Sequence, residues 1–159
     1  MRNALLFGGL AVALAVPNYA ILQKERLLDR GDVVLVELAP VDPRSLIQGD
    51  YMRLDYAIPR TPAAAEWPRD GRLVVTLGAD SVARYVRLYS PETPLAGDER
   101  LLQYRKRGRR TRIGSDAYFF QEGTARVYAT AKYGELRVDA AGASVLTGLR
   151  DENRRPLGR

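Results

Sequence analysis

From residue 4 to residue 22 the chain reads ALLFGGLAVALAVPNYAIL, nineteen positions without a charge. Past residue 30 that run gives way to short stretches in which apolar and polar residues alternate, set off by Gly, Pro and Asp. VVLVEL, at 33–38, is apolar on both faces and predicts a central strand. YMRLDYAI, at 51–58, alternates cleanly. Met52, Leu54, Tyr56 and Ile58 share one face, and Tyr51, Arg53, Asp55 and Ala57 share the other. That is the pattern of a half-buried antiparallel strand, ended by Pro59. RLVVTL and VARYVRLY read as strands joined through Gly78-Ala79-Asp80. LLQYRKR and TRIGSDAYFF read as a hairpin across Gly108-Arg109-Arg110. Residues 125–133 carry helical spacing, which Gly134 would close. ELRVD and ASVLTGL form a last hairpin over Ala140-Ala141-Gly142, and the tail from 151 reads as frayed. The expected class is mainly β (α+β): an N-terminal transmembrane helix, then a small β-barrel or sandwich-like domain with one short helix. The boundary falls at residue 23, with 1–23 as anchor and 24–159 as domain.

As a helix, residues 4–22 would reach about 28 Å, close to the thickness of a bilayer core. Two readings stand. One is an uncleaved signal anchor flanked by Arg2. The other is a cleaved signal peptide with Ala13-Leu14-Ala15 as its cleavage site. Gln23, Lys24, Glu25 and Arg26 follow like a juxtamembrane flank, which favours the anchor. Lys24, Arg26 and Arg30 against Arg2 alone would keep the C-terminus cytoplasmic by charge counting. The short, greasy N-terminus instead resembles an export signal. The adopted expectation is a single pass through the inner membrane, with the domain periplasmic.

Length and charge sharpen this. A chain of 159 residues has room for one domain with a real core. It carries 25 cationic and 19 acidic side chains, a net +6. There is no His and no Cys, which removes Ser-His-Asp and Cys-His catalysis, thiol redox chemistry, zinc fingers and disulfides. Asp42, Asp50 and Asp55 do not have the spacing of a metal site, so neither metal nor cofactor is expected. The densest charge is at 100–112, with Arg105, Lys106, Arg107, Arg109, Arg110 and Arg112 beside Tyr104. Such a run is usually a solvated face. On a membrane-anchored domain its natural partners are anionic lipid headgroups or an acidic protein rather than nucleic acid.

Gly49-Asp50 opens the alternating 51–58 segment much as Gly31-Asp32 and Asp70-Gly71 open others. Gly supplies turn conformations and Asp bonds nearby amides, so the local role is register. With Tyr51, Leu54 and Tyr56 the segment spells GDYxxLxY. Together with PVDPRSLIQ upstream and YFFQEG, AKYGELRV and GLRD downstream, it resembles the bacterial membrane-anchored GDYxxLxY proteins. The resemblance implies a short anchor, a small globular domain and genetic association with multi-span membrane proteins, and it transfers no catalytic residue. SLIQGDYMRL is also similar to the turn and strand of type I signal peptidases, with Ser45 as nucleophile. Ser45 lies too close to Gly49 for that pattern, its Ser-Met pair is missing, and Lys24, Lys106 and Lys132 are all in the wrong segments for a base.

The expected function is therefore a non-catalytic interaction module for an integral membrane partner. Its contact face would be Tyr51, Arg53 and Asp55, or the basic hairpin. Two alternatives remain. One is a small-ligand or lipid-binding β-domain lined by Tyr51, Tyr56, Tyr118, Phe119 and Phe120. The other is a degenerate Ser-Lys hydrolase.

Overall fold

The computed structural model describes residues 2–39, 47–48, 51–108 and 110–158. Helix α1 spans Arg2–Arg30, 29 residues, or about 43 Å. Pro17 sits inside it, and next to the proline the Asn18 side-chain amide donates to the Leu14 carbonyl at 2.8 Å. Its apolar side chains point outward on all sides, with Phe7 71%, Val12 63% and Ile21 55% exposed. Among the described side chains of α1 only Leu27 is buried, where the end of the helix meets the domain. Among the described residues no helix is long and apolar enough to cross a membrane. The uncharged run that ends at Leu22 includes Pro17 and Asn18.

There is no linker between α1 and the domain. The Gly31 amide donates to the Leu27 carbonyl at 2.9 Å, and strand β1, Asp32–Glu37, starts at the next residue. A Cβ at Gly31 would stand 2.5 Å from that carbonyl, so only glycine allows so abrupt an exit. The described strands then follow: β2 Ile47–Gln48, β3 Tyr51–Arg53, β4 Asp70–Leu77, β5 Ala83–Leu88, β6 Glu99–Arg107, β7 Arg110–Ile113, β8 Ala117–Phe119, β9 Tyr133–Val138 and β10 Ser144–Arg150. A one-turn helix α2, Ala125–Tyr128, lies between β8 and β9, and two 3-10 turns, Ile58–Arg60 and Pro62–Glu66, precede β4.

The fold is mainly β, but it is not a barrel. Three antiparallel sheets, in the orders β1-β9-β10, β2-β3-β8 and β5-β4-β6-β7, pack around one core. Leu73, Leu102, Ile113, Leu136 and Leu149 lie at its centre, at most 1% exposed. The sheets stay separate because the chain changes sheet at short breaks. The expected second hairpin arm, 111–120, divides at Gly114, which adopts φ +58. Residues before it pair with β6, and residues after it pair with β3.

The 51–58 segment is likewise shorter than its alternation suggested. Only Tyr51–Arg53 is strand. Farther on, Ala39 donates to the Asp55 carbonyl at 2.7 Å and Ala57 donates to the Glu37 carbonyl at 2.9 Å. The segment therefore leaves one sheet and joins the end of β1. Alternation survives a change of partner because side-chain direction depends on the extended backbone, not on which strand lies alongside. β1 is an edge of its sheet rather than the central strand, and β9 holds the middle. It is nevertheless covered, since Leu35 also bridges to Val82. The tail is not frayed. Leu157 donates to the Leu149 carbonyl at 2.9 Å. Arg150, held at 2.6 Å by the buried Glu135 carboxylate, donates to the Arg154 carbonyl at 2.7 Å.

Candidate functional site

The turn residues of the motif, Gly49 and Asp50, lie outside the described residues, as do Asp42, Ser45 and Arg109. The rest of the motif divides by side. Met52, Leu54 and Tyr56 point into the core and are at most 6% exposed. The Tyr56 hydroxyl donates to the Ser115 carbonyl at 3.1 Å, which ties the motif to the segment between β7 and β8. Burial pushes its phenol well above the ordinary value, and the Asp116 charge nearby adds to the shift.

Tyr51, Arg53 and Asp55 face the other way. The Tyr51 ring packs on Phe119 with centroids 5.6 Å apart, a cross-strand pair in register. Asp55 pairs with Arg60 at 2.7 Å. The aromatic residues thus do not line one interior pocket. Tyr56 is core, Phe120 stacks on Tyr128 at 5.0 Å, and Phe119 is 75% exposed.

The basic run divides as well. Lys106 Nζ donates to the carbonyls of Ala64, Ala65 and Trp67 at 3.0–3.2 Å. It closes the second 3-10 turn, and it contributes no open charge to the hairpin. Lys132 is paired with Glu37 at 2.9 Å, and that bond raises its affinity for its proton. Neither amine has the environment of a catalytic base. Arg105 pairs with Asp70 at 2.7 Å and Arg112 with Asp116 at 2.6 Å. Arg107 and Arg110 form no ion pair among the described residues.

Sequence reading kept the motif face and the basic hairpin apart, yet the fold joins them. Tyr51, Arg53 and Asp55 line a cleft of about 630 Å³ together with Arg107, Arg110 and Arg112. Pro59 and Ala117 supply apolar surface to the cleft. Arg60 and Asp116 also belong to the cleft, and nothing in the linear pattern marked them. Five guanidinium groups face two carboxylates, and Arg53, Arg107 and Arg110 have no carboxylate partner among the described residues. A guanidinium presents its donors as a planar fork that fits a carboxylate or a phosphate. The cleft therefore sets guanidinium groups without carboxylate partners beside apolar surface. A second cleft, of about 650 Å³, shares Arg107 and Arg112 and reaches Lys24 on α1.

The model of one protein family, described as GDYXXLXY protein, matches residues 13–149. The chain belongs to the GDYXXLXY family. No curated protein and no solved structure matches it. In this GDYXXLXY protein the matched region opens inside α1 and closes in β10, so it takes in both the junction of helix and domain and the whole of the arginine cleft.

Proposed function

We propose that this GDYXXLXY protein is a membrane-tethered, non-catalytic recognition module of the bacterial envelope, which docks on an integral membrane partner through its arginine cleft. The observation that carries the reading is the joining of the motif face and the basic hairpin into one cleft, continuous through Arg107 and Arg112 with the base of α1. A helix with apolar side chains exposed on every side is unstable in water and calls for a nonpolar cover. A lipid bilayer is such a cover, and the sequence extends the apolar run through Ala4, Leu5 and Leu6 to nearly a full span. With the domain fixed directly to the helix end, its cleft would lie close to the membrane, within reach of the loops of a multi-span protein. The proposed placement is a single pass through the inner membrane with the domain on the periplasmic side.

The test is purification of the full-length protein from membranes in mild detergent, beside an Arg53→Glu, Arg110→Glu variant shown to be folded. The expected result is a near-stoichiometric integral membrane protein that the variant loses. Release of the wild type from membranes by alkaline washing would overturn the tether, and equal recovery of the partner with the variant would overturn the cleft. A second reading, capture of a small anionic ligand, draws on the cleft volume, which lies in the range of small-molecule sites. An anionic metabolite co-purifying in place of a protein would favour it.

A further inference from the structure

We propose that the cleft on the Lys24 side of α1 binds the headgroup of an anionic phospholipid, while the cleft on the opposite side of the helix does not. This rests on the reading of α1 as a membrane tether.

The junction sets the geometry. Leu27 is buried against the domain, the Gly31 carbonyl accepts a bond from Arg137 Nη1 at 2.9 Å, and the helix end packs on β9 and β10. Without a linker, the domain cannot turn freely about the helix, so its membrane-facing side is determined by the fold. The apolar run ends at Leu22. Lys24 is two residues on, about 3 Å along the axis. The interfacial layer on each side of the hydrocarbon core is about 5–7 Å thick. A cleft lined by Lys24 therefore sits at the depth of lipid phosphates.

The two sides of the helix differ in charge. On the Lys24 side, Arg72, Arg105, Arg107 and Arg112 join the lysine, and Asp70 is the one acidic residue in the lining. Asp70 is already matched by Arg105 at 2.7 Å. Lys24, Arg72 and Arg107 have no ion-pair partner among the described residues. Arg72 lies over the Tyr89 ring at 5.9 Å, an aromatic platform suited to the headgroup region. On the other side, a cleft of about 790 Å³ sets Arg26, Arg30 and Arg100 against Asp32, Glu99 and Asp139. Its charges cancel, so it offers little to an anion. Basic residues at the membrane surface attract anionic lipid, and here they are gathered on one flank.

The experiment uses the full chain in uncharged detergent micelles, titrated separately with short-chain phosphatidylglycerol, short-chain phosphatidylcholine and inorganic phosphate. Saturable binding of phosphatidylglycerol alone is expected. Lys24→Gln with Arg72→Gln should weaken it by about tenfold or more. Arg26→Gln with Arg30→Gln removes the same charge from the opposite flank and should leave it unchanged. Equal weakening by both pairs, equal affinity for the two lipids, or equal affinity for free phosphate would each overturn the proposal. Flotation of the full chain with neutral phosphatidylcholine vesicles separates the two readings. Failure to float removes the tether itself, whereas flotation without lipid selectivity removes only this inference.

Discussion

Residues 51–56 have two sides, made from one short segment and used in opposite ways. Inward, Met52, Leu54 and Tyr56 are closed off from solvent and join three sheets to one core. Outward, Tyr51, Arg53 and Asp55 edge a cleft in which arginines outnumber carboxylates. The basic hairpin repeats the contrast one residue apart. Lys106 is spent on three backbone carbonyls, while its neighbour Arg107 has no ion pair among the described residues and stands between two clefts. In both places the period of two in an extended backbone sorts neighbours into structural and surface roles. Residue type alone does not. A lysine in a charge run can be as structural as a leucine.

The contrast breaks first, and by the largest margin, at Tyr56. Tyr56→Ala should lose about 3–5 kcal/mol of stability, as truncation of a buried aromatic does. Arg53→Ala should stay within about 0.5 kcal/mol of wild type. Urea unfolding followed by fluorescence of Trp67, the single tryptophan and a buried one, measures both. Similar losses in the two variants would mean that the outward side is structural too.

A smaller effect is expected in the hairpin. Lys106→Met should cost about 1–3 kcal/mol, because it keeps the stem but leaves three carbonyls without their charged donor. Arg107→Ala should leave the unfolding midpoint unchanged. A midpoint unmoved in Lys106→Met would show that solvent satisfies those carbonyls as well as the ammonium does.

The finest test is alkaline. The Tyr56 phenol is harder to ionise in the fold than in the unfolded chain, so its contribution is complete below pH 10 and falls away as the pH rises beyond that. Tyr56→Phe should lose about 1 kcal/mol at neutral pH with its hydrogen bond to Ser115. It should also flatten the alkaline decline. An unchanged slope above pH 10 would assign that decline to other groups.

Much of the fold could be read from the pattern. Strands β4, β5, β6, β9 and β10 lie where alternation put them, because each keeps one partner set along its length. The misreadings fall where the chain changes partners. At Gly114 a single apparent strand serves two sheets, and after Arg53 the motif moves from β8 to the end of β1. Alternation reports the face of a residue but not its partner, so the pattern is equally that of a small barrel or a sandwich and does not show the division into three sheets. The tail misled for a related reason. DENRRPLGR is polar in composition, yet its order comes from backbone bonds and from Arg150 on Glu135, contacts that leave no hydrophobic signature.

The candidate site was half legible. Arg53, Asp55, Arg107, Arg110 and Arg112 stood out in sequence as two separate features, and Arg60 and Asp116 did not stand out at all. By itself the sequence determined the apolar N-terminal run, the β-rich character of the remainder, the inward side of the motif and the excess of arginine, since all of these follow from local periodicity and composition. The tertiary structure alone decided that motif and hairpin share a cleft, that Lys106 is a structural ion and that basic charge gathers on one flank of α1. Those outcomes depend on contacts between segments far apart in the chain, such as Tyr51 with Phe119, Lys106 with Ala64 and Gly31 with Arg137, and no local pattern encodes which distant strand a segment will choose.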